Sequence, residues 1–257
     1  MAYNNFNENF DINKNNFSIS IPFGENEKGN VNLSFNESET QNGKFNVFTL
    51  DETLYINQLI NSASKKYDKS ELEIVVTQCD KNFDLPLNNL DKINYTKIEN
   101  CKDLYKILEN TYKDFENRLE TLKSNNISSF SEYQKTSKNT FPQKIIIFNS
   151  MYESLINDIE KEDYVQKIMR ELLLFNRLSD FGIYFMFVSR YPSSLPFYPD
   201  FYKQSGFVFC NSYNTDDKLF YKSKQLKDLV QKLKKDEILI YNNNDSIEIC
   251  KIFNDLK

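Results

Sequence analysis

Two stretches constrain this chain more than any others. Lys144-Ile-Ile-Ile-Phe148 and Gly182-Ile-Tyr-Phe-Met-Phe-Val188 carry apolar or aromatic residues at every position after the first. A strand with one wet face alternates; a strand that does not must be buried on both faces, as a central parallel strand is when helices cover the sheet above and below. Other segments follow the helical period. Between about Lys102 and Lys123, Leu104, Ile107, Leu108, Tyr112, Phe115, Leu119 and Leu122 recur at three- and four-residue spacing, and from 161 to 179 Tyr164, Ile168, Leu172, Phe175 and Leu178 do the same. Strands alternating with such helices predict an α/β fold: a doubly wound, mostly parallel sheet with helices on both faces.

The remaining segments fit that plan. Residues 1–16 are rich in asparagine and poor in apolar side chains, and read as a flexible leader ahead of one domain at 17–257. Phe17-Ser-Ile-Ser-Ile-Pro22 alternates, a turn follows through Gly24 and Gly29, and Val31 to Phe35 returns, which predicts an N-terminal hairpin. Further strands are predicted at 45–49, 71–77 and 207–210, with helices at 51–66, 130–134 and 215–232. Strands at 237–241 and 246–252, turned by Asn242-Asn-Asn-Asp245, predict a C-terminal hairpin. At 257 residues the chain suits one large α/β domain better than two small ones.

Composition removes whole classes of chemistry. The chain has no histidine, which excludes Ser-His-Asp and Cys-His nucleophile pairs and most mixed zinc sites. Its four cysteines (Cys79, Cys101, Cys210, Cys250) form no CxxC pair and read as isolated core thiols. Neither a cofactor nor a resident metal is expected. A net charge of −5 with interspersed signs argues against nucleic acid as the main partner. No apolar run approaches the ~18 residues needed to span a bilayer.

The junction between the strand at 45–49 and the helix at 51–66 is where a nucleotide-binding α/β domain carries a glycine-rich loop ending in Gly-Lys-Ser/Thr. Here the connection is short and has no glycine, and Glu52 stands where the lysine belongs. No glycine occurs anywhere between Gly43 and Gly182, so no shift of alignment recovers a phosphate loop.

Taken in order, these pieces resemble the FtsK/SpoIIIE-type P-loop ATPase domain over nearly the whole chain after residue 17. Ile21-Pro-Phe-Gly24 and Gly29-Asn-Val-Asn-Leu33 are similar to that family's opening hairpin. Phe115-Glu-Asn-Arg118, with Ile127-Ser-Ser-Phe-Ser-Glu-Tyr133 after it, resembles its Glu-x-Arg-Arg helix and later Tyr-Asn segment. Ile145-Ile-Ile-Phe-Asn-Ser150 falls at its Walker B strand, and Phe181-Gly-Ile-Tyr-Phe-Met-Phe-Val-Ser-Arg-Tyr-Pro-Ser193 resembles the stretch ending in its sensor region. The resemblance implies a RecA/FtsK-like sheet.

The departures fall on the chemistry that the family performs. Walker B normally ends in Asp-Glu, one holding Mg²⁺ and the other polarising water; the corresponding positions here are Asn149 and Ser150. Glu52 replaces the Walker A lysine, although Thr53 retains a hydroxyl of the Mg²⁺-binding type. The sensor glutamine corresponds to Arg190, and the later Asp-Ser-Arg to residues 215–217, ending in Asp217. Loss of the whole set implies a pseudo-ATPase that neither binds nor hydrolyses ATP. The branch that keeps degenerate domains of this kind is the type VII secretion ATPases (EssC/EccC). The resemblance to it implies a regulatory or substrate-recognition module in a larger membrane-anchored motor, on the cytoplasmic side of the membrane. The implied partners are neighbouring ATPase domains and helical-hairpin secreted substrates. The alternatives are a DNA-translocase-type ATPase with unconventional residues, and a stand-alone scaffold in plasmid maintenance or phage defence.

One further segment draws notice. Tyr191-Pro-Ser-Ser-Leu-Pro-Phe-Tyr-Pro-Asp-Phe-Tyr202 follows a buried strand and packs prolines among aromatics. Its Tyr191, Leu195, Phe197, Tyr198, Phe201 and Tyr202 form a candidate partner-binding loop, the alternative being an ordinary loop folded over the sheet edge.

Overall fold

The computed structural model describes residues 18–36, 45–49, 53–78, 94–98, 101–137, 140–149, 178–188, 205–210, 224–234, 236–242 and 247–252. Ten strands form one sheet: β1 (Ser18–Asn26), β2 (Gly29–Asn36), β3 (Phe45–Thr49), β4 (Leu72–Gln78), β5 (Asn94–Ile98), β6 (Gln143–Asn149), β7 (Ile183–Val188), β8 (Ser205–Cys210), β9 (Glu237–Asn242) and β10 (Ile247–Ile252). Their order is β2-β1-β10-β9-β8-β3-β7-β6-β4-β5. The block from β8 to β5 is parallel throughout, while β9, β10, β1 and β2 run antiparallel as two hairpins. The parallel core and both terminal hairpins therefore match the sequence expectation.

The helices are α1 (Thr53–Lys66), α2 (Cys101–Ser124), α3 (Phe130–Thr136) and α4 (Lys224–Val230), with a 3-10 turn at Leu178–Phe181. α1 buries Ile56, Leu59, Ile60 and Ala63 in one apolar cluster with Ile74 and Val76 of β4, Ile145 and Ile147 of β6, and Met186 and Val188 of β7. Side chains alternate along a strand, so Lys144 and Glu73 belong to the opposite face. Both form ion pairs there, Lys144 with Glu73 and with Asp114 of α2. α1 and α2 thus lie on opposite faces, which is why β6 and β7 are apolar throughout their interiors. On the α2 side Phe148 stacks on Phe187 at 5.1 Å, and Phe115 meets Phe181 edge-on at 4.8 Å.

The opening hairpin closes over the far end of α1. Ser20 of β1 donates its backbone N–H to the Tyr67 hydroxyl at 2.9 Å, and that hydroxyl donates to the Ser20 carbonyl at 3.0 Å. Tyr67 thereby takes the place of a neighbouring strand at a point where β10 does not reach, since β10 pairs with β1 only at Gly24 and Glu25.

Several boundaries differ from the sequence reading. β5 was not predicted: among the described strands Asn94-Tyr-Thr-Lys-Ile98 stands at the sheet edge and pairs with β4 alone, so it lacks the continuous apolar pattern of its inner neighbours. The predicted helix at 161–179 lies outside the described residues up to 177, and its last residues form the 3-10 turn. Of the predicted helix at 215–232, the described part is α4, followed by a turn. The leader at 1–16 lies outside the described residues.

Candidate functional site

The carboxyl edge of the parallel strands is the site at which ligands of open α/β sheets sit, where neighbouring strands send the chain in opposite directions. β3 occupies such a point: its chain leads through α1 to β4 on one side, while β8, its neighbour on the other, leads to β9. The register sets the edge residues in line. Phe209, Phe48, Val188, Asn149 and Gln78 are successive cross-strand partners, and Thr49 pairs with Cys210. Asn149 is thus one strand removed from the end of β3, as a Walker B position is from its phosphate loop.

The connection out of β3 is the informative part. β3 ends at Thr49 and α1 begins at Thr53, so only residues 50, 51 and 52 join them. A loop that wraps backbone amides around a phosphate needs the Gly-x-x-x-x-Gly-Lys span, roughly twice as long. Thr53 is the first residue of the helix and Asn149 the last of its strand. Glu52, Ser150, Arg190 and Asp217 lie outside the described residues, as does the whole loop from Tyr191 through Leu195, Phe197, Tyr198 and Phe201 to Tyr202. Among the described residues no cluster of three or more Cys, Asp or Glu side chains is arranged to hold a metal.

α1 itself is unusual for a helix that starts at a ligand edge. Its polar residues Asn57, Gln58, Asn61, Ser62 and Ser64 are buried along with its apolar ones. Gln58 donates to the Ser62 hydroxyl at 3.0 Å, while the Asn57 Oδ1 and Gln58 Oε1 atoms are buried without a partner.

Among the described residues, a buried charge cluster stands at the opposite, amino edge of the sheet. Arg118 of α2 is 1% exposed. Its guanidinium donates to Asp114 at 3.0 and 3.3 Å, and to the carbonyls of Phe181 and Pro142 at 2.8 Å each. It also lies over the rings of Phe130 and Phe141, 5.1 and 5.3 Å from their centres. Asp114 continues the chain of charge to Lys144 at 2.7 Å, and Lys144 to Glu73 at 3.1 Å. Burial pushes the Asp114 carboxyl up, but the charge and hydrogen bonds of Arg118, joined by Lys144, outweigh it and hold the group below its ordinary value. The sequence carried a signal for this arrangement: Arg118 sits three residues after Phe115 and four before Leu122, squarely on the apolar stripe of α2. A charge at such a position is buried and must be paired.

Among the cysteines, Cys250 is a buried free thiol, as the spacing predicts. Burial, aided by the Glu248 charge, pushes it up to about 12, so it is unreactive at neutral pH.

No protein-family model matches the chain, and no curated protein does. Solved structures do resemble it. The EssC structure of ATPases 2 and 3 from Geobacillus thermodenitrificans superposes with a TM-score of 0.62 at 15% identity, covering 92% of this chain and 44% of that one. The pCW3 conjugation coupling protein TcpA, in its monomer form with ATPγS, gives 0.67 at 13% identity, covering 96% and 68%. Thermomonospora curvata EccC (ATPases 2 and 3), in complex with a signal sequence peptide, gives 0.61 at 11% identity, covering 97% and 44%. The chain spans less than half the length of the EssC and EccC structures it matches. No helix among the described residues is long and apolar enough to cross a membrane. The chain therefore has an FtsK-like P-loop ATPase fold, resembling the EssC and EccC ATPase domains.

Proposed function

We propose that this chain is a catalytically inactive FtsK-like ATPase domain that serves a type VII secretion motor as a protein-interaction or regulatory module. The observation that carries the reading is the connection of three residues between β3 and α1, too short and too poor in glycine for an amide nest. Glu52 adds a negative charge where a triphosphate would need a cation. Asn149 and Ser150, which stand in for the Walker B carboxylates, supply no group to hold Mg²⁺ or polarise water. Arg190 and Asp217 replace the sensor and trans-acting positions, so no part of the hydrolytic set is complete.

The partners on this reading are the neighbouring ATPase domains of the motor and secreted helical substrates. The aromatic loop from Tyr191 to Tyr202 offers the docking surface, and the place of action is the inner face of the membrane, within a larger protein. The likeness to an EccC structure solved with a signal sequence peptide supports the substrate side of the proposal. Calorimetry with ATP and Mg²⁺, run beside a phosphate-release assay, tests the core of it. The expected result is neither heat of binding nor turnover; binding tighter than ~100 µM with turnover sinks it.

A second reading, a scaffold in plasmid transfer or maintenance, draws on the likeness to TcpA. Co-purification from the native host separates the two: secretion-motor ATPases on the first reading, plasmid-transfer proteins on the second.

A further inference from the structure

Among the described residues, the outermost strand of the sheet has one side that no other strand pairs. β2 stands last in the strand order. One side pairs with β1 from Ser18↔Asn36 to Asn26↔Gly29, and no described strand pairs with the other side. Proteins normally blunt such an edge with a charge, a proline, a bulge or a covering element. Gly29–Asn36 has no charged residue and no proline, and the register shift in this hairpin falls on β1, between Pro22 and Gly24. The contrast with the far side of β1 is sharp, since β10 covers Gly24 and Glu25 there and Tyr67 satisfies Ser20.

The pattern of β2 indicates what the open edge accepts. Asn30-Val-Asn-Leu-Ser-Phe-Asn36 alternates polar and apolar, and reads the same in both directions about Leu33. Val31, Leu33 and Phe35 are buried, and Asn30 and Asn32 are exposed. A two-fold axis through Leu33 would pair two copies of this strand antiparallel, with Val31 opposite Phe35, Asn32 opposite Ser34 and Asn30 opposite Asn36. In that register apolar positions fall opposite apolar ones and polar positions opposite polar ones, and no like charges oppose. We propose that β2 is a self-pairing edge through which two copies of the chain join their sheets in an isologous dimer. A neutral strand palindromic in its polarity is complementary to itself without any further partner. The contact is a single strand wide, so the dimer is weak and reversible. This inference is independent of whether nucleotide binds.

Sedimentation of the full chain over a concentration series tests it, together with hydrogen exchange read on the peptide covering 29–36. The mass should rise from 30.5 kDa toward twice that value with concentration, and exchange in β2 should slow in step. Asn32→Lys places two cations diagonally across the axis on the exposed face, and should weaken association about tenfold or more while leaving the circular dichroism unchanged. A chain that stays at 30.5 kDa throughout overturns the proposal, as does a dimer that Asn32→Lys and Asn30→Lys both leave intact. If both variants fail to fold, the concentration dependence of β2 exchange in the unmodified chain decides alone.

Discussion

The buried pair Arg118–Asp114 gives the sharpest energetic test, because physical reasoning fixes both a magnitude and a sign of coupling. In Arg118→Met the apolar volume is largely kept, but the Phe181 and Pro142 carbonyls, each accepting at 2.8 Å, lose their donor. Each orphaned buried acceptor costs about 1–3 kcal/mol, and removing one partner of a buried ion pair costs about 3–5 kcal/mol in all. Asp114 is 18% exposed and keeps Lys144 at 2.7 Å, so we expect about 4 kcal/mol, near the middle of that range. Asp114→Leu leaves the guanidinium at 1% exposure without its carboxylate, held by two carbonyls and the Phe130 and Phe141 rings, and should cost a similar amount. The double variant should cost no more than either single change, because a buried pair replaced by apolar side chains is often neutral or better. Urea unfolding of the four proteins closes the cycle. Strict additivity, near ~8 kcal/mol, would show that the two side chains act separately. A cost for Arg118→Met under about 1 kcal/mol would show that the guanidinium is not a structural tie at all.

Three further outcomes follow from the same geometry. Asp114 is held below its ordinary value in the fold, so its contribution is fully present above the unfolded value and is lost as pH falls through the folded one; a pH series of urea midpoints should show acid loss that Asp114→Asn abolishes. Tyr67→Phe removes the hydroxyl that serves both backbone groups of Ser20, and should lower stability by about 1–2 kcal/mol, with faster hydrogen exchange in β1 around Ser20. Gly182 has φ +73° and its Cβ position runs into the Phe130 ring, so Gly182→Ala combines backbone strain with overpacking and should cost about 2–4 kcal/mol in a thermal melt. A melting curve unchanged by that substitution would refute the close approach.

How much of this was legible in the sequence depended on where each residue sits in the sheet. β6 and β7 announced themselves because burial on both faces removes alternation, which leaves a signal that polar flanks sharpen. β5 gave no such signal because an edge strand tolerates Asn94, Thr96 and Lys97. The length of α2 was readable from its stripe, yet Arg118 was read through a family motif and not as a buried charge. The clue was positional: its place between Phe115 and Leu122 on that stripe demanded partners, and Asp114 stands one turn earlier. At the candidate site the glycine-free junction and the neutral Asn149 and Ser150 are features of the sequence itself, and the proposal rests on them.

The two ends of the sheet bear different loads, and on the proposed reading that division would let such a domain keep its fold without its chemistry. At the amino edge, Arg118 grips the carbonyls just ahead of β6 and β7, Lys144 ties β6 to β4 and α2, and the Lys144 and Gln143 amides donate to Gly182 and Glu71 at 2.8 Å. These contacts fix the strand register with no contribution from a ligand. At the carboxyl edge, Asn149 ends its strand and Thr53 opens α1, and substitutions away from buried, paired features usually move stability by less than about half a kcal/mol. Catalytic carboxylates held close together are themselves a destabilising arrangement, so neutral Asn149 and Ser150 in their place would relieve the fold. The same division bears on attempts to restore activity. On the proposed reading, Asp and Glu introduced at 149 and 150 would return the metal-binding charge but not the backbone amides, because only three residues separate β3 from α1, whose residues from Ile56 to Ser64 are buried. Lengthening that connection means moving a helix that is buried from Ile56 to Ser64, and on the proposed reading a point substitution would not restore hydrolysis.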